Sequence, residues 1–109
     1  MNIPQLHERE AADALAALGN RTRLRIYRLL VRAGDEGLIV GEIQARLEIA
    51  ASTLAHHLAT LAKAGLVVQE RQGRETLCRA NYGQVDALIV YMTEQCCAGF
   101  AGGANENAA

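Results

Sequence analysis

Two adjacent cysteines, Cys96 and Cys97, are the residues whose type and spacing most clearly suit a chemical role. Thiolates bind soft ions. A trivalent arsenic or antimony centre takes two or three sulfurs in a pyramid, so adjacent thiols are chemically adequate for it. Closed structural zinc would need four ligands, and this segment offers no histidine and no further cysteine. The pair would also suit a helix–helix contact as two small hydrophobic residues, so its spacing alone leaves both interpretations open.

Two further uses of a thiol pair are considered from the same residues. A vicinal disulfide is strained and easily reduced, which makes a redox or persulfide sensor the alternative to a metalloid site. A thiol enzyme needs a base beside a cysteine of low pKa. Because no histidine follows His57 in the chain, we expect no enzymatic activity. The remaining cysteine, Cys78, lies in a predicted strand, where we expect it to pack inward rather than bind a ligand.

A second group of residues suits contacts with DNA. A short helix is predicted over 41–48, and after a turn of about three residues a longer helix is predicted over 51–64. The longer helix has an apolar stripe opposite a face of short polar side chains, as a helix that approaches base edges in the major groove requires. The stripe is Leu54, Leu58 and Leu61, and the predicted DNA contacts are Ser52, Thr53, His56 and Thr60. The neighbouring His57 is expected to pack or hydrogen-bond within the domain.

A charged β-hairpin is predicted to follow this helix, with strands over 66–71 and 74–79 around Gln72-Gly73. Arg71 and Arg74 lie at its tip, where they are predicted to reach phosphates or a minor groove. A short helix, a turn, a longer helix and a charged hairpin are the order of a winged helix-turn-helix. Polar helix faces and basic hairpins are common, so on spacing alone a winged-helix interaction module that binds no DNA is the alternative.

The elements that must position these residues are helices, so the predicted fold class is mainly α with a small β-hairpin. Three further helical patterns cover residues 5–18, 21–33 and 83–97. Asn20 is able to cap the second helix, and Gly65 is expected to end the longer helix described above in the left-handed conformation. The sequence predicts one winged helix-turn-helix domain over 1–97, and the Gly/Ala/Asn-rich tail 98–109 is expected to be disordered.

Length and charge bound the class of protein. The chain has 109 residues, enough for one domain and too few for two. Its formal charge of -1 does not by itself suggest a nucleic-acid partner, but the charge is uneven, because residues 49–69 contain no acid. No apolar run approaches the length of a membrane span, and residues 1–9 lack the features of a secretory signal. We therefore expect no membrane contact and a cytoplasmic location.

Three motifs together resemble one known family. The run from Leu18 to Ile26 is similar to an L-x-x-x-x-R-L-x-I second helix, and the run from Ser52 to Leu58 to an S-T-V-S-H-H-L recognition helix. Ala64-Gly65-Leu66-Val67 with Arg71-Gln72-Gly73-Arg74 is similar to an A-G-L-V…R-x-G-R wing. These are marks of the ArsR family, small metal- and metalloid-responsive repressors of bacteria. The resemblance covers about residues 10–97. It implies a homodimer, held mainly by the first and last helices, that binds double-stranded operator DNA and leaves it when an effector binds.

The C-terminal segment from Thr93 to Gly99 also resembles a subgroup of this family that ends in T-E-N-C-C-x-G. This resemblance implies that As(III) or Sb(III) is the effector and that Cys96 and Cys97 are its ligands. The C-V-C site and the histidine-and-carboxylate zinc site of other members are absent from the sequence. No cysteine occurs over 98–109. The third ligand is therefore open between glutathione, water or hydroxide, and a thiol of the other subunit.

Overall fold

The computed structural model describes residues 5–100, in which five α-helices and three strands follow one another. They are α1 (Glu8–Leu18), α2 (Arg21–Ala33), β1 (Leu38–Ile39), α3 (Val40–Leu47), α4 (Ala51–Lys63), β2 (Val67–Gln72), β3 (Glu75–Ala80) and α5 (Tyr82–Thr93). The predicted class, mainly α with a small β-hairpin, is confirmed. The predicted disordered tail lies largely outside the described residues. None of the helices over residues 5–100 is long and apolar enough to cross a membrane.

The ends of α2 and α4 follow from local signals in the sequence. The side-chain oxygen of Asn20 accepts the backbone N–H of Arg23 at 3.0 Å, which caps α2 as predicted. Gly65 has a φ of +79°, and the N–H of Leu66 donates to the carbonyl of Leu61 at 3.0 Å. A left-handed glycine with this backward hydrogen bond is the usual C-terminal cap of a helix, so the predicted end of α4 is confirmed to within one residue.

The hydrophobic core joins the helices to the sheet. α4 contributes Leu54, Leu58 and Leu61, each at most 1% exposed, so the predicted apolar stripe is confirmed. α2 contributes Ile26 and Leu30, both with no exposed surface. α1 contributes only alanines to the fully buried set, and side chains this small let its backbone lie close to its neighbours. The helix that the sequence predicts to contact DNA is thus fixed in the core by three leucines.

The three strands form one antiparallel sheet in the order β1-β3-β2. β1 adds a short third strand to the predicted hairpin. Gln72 pairs with Glu75 across the hairpin, so the turn is Gly73-Arg74, and the predicted turn Gln72-Gly73 is wrong by one residue. Gly73 has a φ of +64°. The observed register therefore places glycine at the first turn position, where a type II′ turn requires positive φ.

The last helix is shorter than predicted. α5 ends at Thr93, whereas the apolar pattern predicted helix over 83–97. The hydroxyl of Thr93 donates to the carbonyl of Ile89 at 2.7 Å, and every residue from Thr93 to Phe100 is exposed. A further helical turn would gain no burial, and short helical stretches without burial are marginal in water. Cys96 and Cys97 consequently lie in a turn after the helix.

Candidate DNA interface and thiol pair

The helix-turn-helix consists of α3, α4 and the three residues between them, Glu48, Ile49 and Ala50. Glu48 has a φ of +52°, a left-handed conformation that is uncommon for residues with a Cβ atom. The N–H of Ile49 donates to the carbonyl of Gln44 at 3.4 Å, which closes the turn. The turn thereby directs the leucine stripe of α4 into the core and leaves the opposite side of α4 facing outward.

The outward side of α4 is polar at its N-terminal end. Ser52, Thr53 and His56 are all exposed there. The first N–H groups of any helix have no intrahelical acceptor, and no side chain at Ala50 caps those of α4. Exposed hydroxyls, a ring nitrogen and free helix-start N–H groups are the donors that proteins commonly direct at DNA bases and phosphates.

Thr60, the fourth predicted contact on α4, lies in a different environment. It is half-buried, and its hydroxyl donates to the carbonyl of His56 at 3.2 Å. It lines a small cavity together with Asp13 and Ala16 of α1. The structure therefore groups Ser52 and its neighbours at the start of α4 and places Thr60 beside α1, towards the far end of the helix.

The wing tip carries the two predicted arginines, and both are exposed. The Nε of Arg71 donates to the carbonyl of Gly73 at 2.9 Å, which holds this side chain against the turn. Arg74 is part of the turn, and its side chain makes no hydrogen bond or ion pair within residues 5–100. At the base of the wing, Arg79 forms a 2.9 Å ion pair with Glu70. The tip arginines are therefore better available to an outside partner than Arg79.

Cys96 and Cys97 lie in the turn of residues 94–97, which we call the thiol turn. Two backbone hydrogen bonds of 2.9 and 3.1 Å close it, and Cys97 has a φ of +62°. Both thiols are free and exposed. Their sulfur atoms lie 3.4 Å apart. The two side chains therefore point to the same region of solvent, which adjacent residues of a regular helix, rotated by about 100°, would not do.

The distance between the two sulfurs shows whether both could bind the same metal or metalloid centre. Across 3.4 Å, two bonds of about 2.3 Å, the length of a zinc–sulfur bond, meet at an angle of about 95°. Tetrahedral coordination would set the sulfurs about 3.8 Å apart at the same bond length. Within residues 5–100, no third histidine, cysteine or carboxylate joins them in a metal-binding group. The two thiols are thus close enough to bind one soft centre together.

Cys78 is separate from this pair. It has no exposed surface, so the prediction that it packs inward is confirmed. Burial raises the pKa of its thiol, and the hydrogen bond from Gln69, 3.9 Å between nitrogen and sulfur, opposes this shift. Since thiolates are the form that binds soft ions, Cys78 is poorly suited to be a ligand.

The start of α5 is hydrogen-bonded to the end of the recognition helix, a connection that the sequence did not reveal. The side-chain amide of Asn81 donates to the carbonyl of Gly65 at 2.8 Å. The side-chain amide of Gln84 donates to the carbonyl of Ala64 at 2.9 Å. Because a helix ends with carbonyls that lack intrahelical donors, these amides satisfy the end of α4. The helix that precedes the thiols is thereby joined directly to α4.

His57 makes the hydrogen bond within the domain that was predicted for it. Its Nδ1 lies 3.3 Å from Nη1 of Arg23 in α2. The partner could not be derived from helical spacing, because the two residues are 34 positions apart. The only signal for Arg23 was its place in the L-x-x-x-x-R-L-x-I motif.

The two helices predicted to form a dimer interface carry uncovered apolar side chains. Leu15 of α1 is 46% exposed, and Ile89 and Met92 of α5 are 54% and 59% exposed. Leu88 of the same helix is buried, so α5 has one apolar side in the core and another that is exposed. α1 and α5 pack against each other within the chain, so a partner of either helix would affect both.

Comparisons with known proteins agree with this architecture. A family model described as a helix-turn-helix domain matches residues 18–70. The transcriptional activator HlyU of Vibrio cholerae is 33% identical over 91 residues, 82% of this chain and 82% of that protein. The putative arsenical resistance operon repressor ArsR of Halobacterium salinarum is 42% identical over 80 residues, 70% of this chain and 57% of that protein. A solved ArsR-like transcriptional regulator from Rhodococcus sp. RHA1 is 29% identical, with a TM-score of 0.70, and the match covers 83% of this chain and 81% of that one.

A helix-turn-helix with an exposed polar recognition face, followed by a basic wing, defines a winged helix-turn-helix DNA-binding protein. The relatives that match most of the chain are transcription regulators. The chain belongs to the ArsR family. It is a transcription regulator of the ArsR/HlyU type.

Proposed function

We propose that this protein is a dimeric cytoplasmic repressor that binds operator DNA and releases it when As(III) or Sb(III) binds Cys96 and Cys97. The observation that carries the proposal is the exposed thiol pair, with sulfurs 3.4 Å apart, at the end of the helix that is hydrogen-bonded to α4. The arsenical resistance repressor among the relatives supports a metalloid as the effector. When bound, the metalloid would supply a rigid cross-link between the two thiolates.

In this proposal the start of α4 enters the major groove and the wing flanks it. Ser52, Thr53 and His56 contact base edges, since they are exposed at the outward end of the helix. Arg71 and Arg74 contact phosphates or a minor groove at the wing tip. Thr60 lies at the edge of the same interface. Because it is half-buried, it can contact the DNA backbone more readily than a base.

The proposed dimer forms through α1 and α5. Large exposed apolar side chains on adjoining helices, here Leu15 of α1 with Ile89 and Met92 of α5, are typical of surfaces that bind another protein. A two-fold dimer would set two recognition helices about one DNA turn, roughly 34 Å, apart. An inverted-repeat operator follows from that symmetry, and any change in the relative orientation of the subunits would change the spacing of the two helices.

Coupling between the sites would run along α5. Cys96 and Cys97 hold the effector, and to do so the thiol turn must adopt one fixed conformation. This places a constraint on the end of α5, while Asn81 and Gln84 at its start hold the carbonyls at the end of α4. A shift of α5 would therefore reorient α4. Glutathione, water or hydroxide, or a thiol of the partner subunit would complete the ligand set.

Fluorescence anisotropy tests the proposal, with an operator fragment selected from a random duplex pool by the protein itself. We expect sodium arsenite to weaken operator binding by roughly 5- to 150-fold, the usual range of allosteric coupling. The Cys96→Ser/Cys97→Ser variant should bind operator normally and ignore arsenite. Cys78→Ala is the matched control and should respond like the wild type. Release of the double-serine variant at the wild-type arsenite concentration would show that the site is assigned wrongly.

A redox or persulfide sensor is the second candidate, because sulfurs 3.4 Å apart need only a small movement to form a bond. Formation of a disulfide would remove two electrons and two protons from the thiols and transfer them to an oxidant. Diamide, in the absence of metalloid, distinguishes the two functions. If diamide releases the operator, dithiothreitol restores it, and arsenite has no effect, the redox function replaces the metalloid function.

A further inference from the structure

Arg23 holds three helices together through one guanidinium group. Its Nε donates to the carbonyl of Ala17 at 2.7 Å, and its Nη2 donates to the carbonyl of Ala16 at 3.4 Å. Both acceptors lie in the last turn of α1, at the negative end of the helix dipole, and the carbonyl of Ala16 also accepts from the N–H of Gly19 at 3.2 Å. The remaining nitrogen, Nη1, lies 3.3 Å from Nδ1 of His57 in α4. The guanidinium therefore bridges the end of α1 and the middle of the recognition helix.

The chemistry of this contact fixes the state of the imidazole. An arginine side chain can only donate hydrogen bonds, so the Nδ1 atom of His57 must be the acceptor. The ring is then neutral and carries its proton on Nε2. Protonation at Nδ1 would replace this hydrogen bond by a repulsion between two cations.

We propose that Arg23 and neutral His57 form the link by which α1 positions the recognition helix, so that protonation of His57 weakens operator binding. The inference rests on the proposed function in one respect, namely that α1 belongs to the dimer interface. Both residues are positioning residues, because His57 is half-buried against α2 rather than exposed with Ser52. A movement of the dimer helices would reach α4 through this link as well as through α5.

The charged groups around His57 determine the direction of the pH effect. Burial, then Arg23, then His56 lower the pKa of His57 below its ordinary value of 6.5. Lys63 of α4 and Asp13 of α1 line a small cavity together with Arg23. Since the unfolded chain binds this proton at a higher pH than the folded chain, the native arrangement is fully favoured above pH 6.5. It loses stability as pH falls below that value towards the lower pKa of the folded state.

Nuclear magnetic resonance of the histidine ring nitrogens tests the link without DNA or metalloid. At pH 7.5 we expect His57 to be neutral with its proton on Nε2, and its pKa to lie below the ordinary histidine value of 6.5. The pKa of His57 should rise in Arg23→Met, while Arg21→Met, an exposed arginine of the same helix, should leave it unchanged. A proton on Nδ1, or a pKa that does not respond to Arg23→Met, would overturn the proposal.

Operator binding between pH 8 and pH 5.5 then tests the positioning role. The operator Kd of the wild type should rise by about three- to thirtyfold at the low end, the usual effect of residues that carry coupling. In His57→Asn, an amide oxygen can accept near the position of Nδ1 and cannot be protonated in this range. This variant should bind like the wild type at pH 8 and should not lose affinity at low pH.

His57→Leu removes the acceptor and should bind weakly at every pH, with circular dichroism confirming that it is folded. His7→Asn is the matched control, and it should keep the wild-type loss of affinity, because His7 is exposed and is not one of the proposed DNA contacts. Identical pH profiles for the wild type and His57→Asn would contradict the link. Neither pH measurement uses arsenite. If arsenite does not change operator binding by the wild type, the proposed effector is wrong, but the pH profiles still decide whether Arg23 and His57 position the recognition helix.

Discussion

The recognition helix and the thiol turn are held in opposite ways. α4 is anchored by Leu54, Leu58 and Leu61, none more than 1% exposed, and its last carbonyls are hydrogen-bonded to the start of α5. Every residue of the thiol turn is exposed, and two backbone hydrogen bonds close it. A helix that reads DNA needs a fixed orientation, whereas a pair of thiols that captures a ligand needs access and freedom to rearrange. In the proposed function, the free energy of ligand binding at the thiol turn would be what reorients α4.

The largest expected difference between the two regions is in stability. Leu58→Ala removes a side chain that is 1% exposed and should lower the free energy of unfolding by about 2–5 kcal/mol. Gln95→Ala, in the thiol turn, should change it by less than about 0.5 kcal/mol. Urea denaturation followed by circular dichroism measures both. Equal effects of the two substitutions would show that the thiol turn is as firmly held as α4.

Two left-handed glycines give a smaller and more specific contrast. Gly65 and Gly73 have φ values of +79° and +64°, so alanine at either position should cost about 1–2 kcal/mol in strain. A Cβ atom at Gly65 would also lie 2.9 Å from the side-chain nitrogen of Gln84, whereas nothing lies within 4 Å at Gly73. Gly65→Ala should therefore cost about 1 kcal/mol more than Gly73→Ala, the value of a hydrogen bond.

The same pair of variants tests how α5 acts on α4. Operator anisotropy with and without arsenite should show a reduced arsenite effect in Gly65→Ala and a normal one in Gly73→Ala. A normal arsenite effect in both variants would mean that coupling does not pass through Gln84.

The wing arginines should give the smallest effect, visible in the salt dependence of operator binding. Arg74→Gln should make the slope of log K against log salt less steep by about 0.9, the loss of one phosphate contact. Arg71→Gln should change the slope less, because its guanidinium is already bonded to the carbonyl of Gly73. An unchanged slope for Arg74→Gln would show that Arg74 makes no phosphate contact in the operator complex.

The recognition helix could be predicted from the sequence because its signals are local. A leucine at every third or fourth position, with Gly65 after the helix, specifies both its buried face and its end. The end of α5 had no such signal, since the run from Val90 to Cys97 contains neither glycine nor proline. α5 ends where its residues no longer pack against the rest of the domain. Only the folded structure shows that this happens at Thr93.

The links between the helices were also outside the reach of sequence patterns. Arg23 belongs to an arginine-rich helix and resembles its exposed neighbours in type. Its role depends on carbonyls in α1 and on His57, which is 34 residues away. Asn81 and Gln84 are ordinary polar residues at a helix start, and their acceptors are 16 and 20 positions earlier. Spacing rules describe one element at a time, so contacts that couple elements do not follow from them.

The most direct test of the central claim, that the thiol turn and the recognition helix are coupled, is a closed thermodynamic cycle. Arsenite affinity is measured for the free protein and for the operator-bound protein, and operator affinity is measured with and without saturating arsenite. Coupling is reciprocal, so the two ratios should be equal and larger than about fivefold, and in Cys96→Ser/Cys97→Ser the operator ratio should be one. An arsenite affinity that is identical in free and operator-bound wild-type protein would contradict the claim.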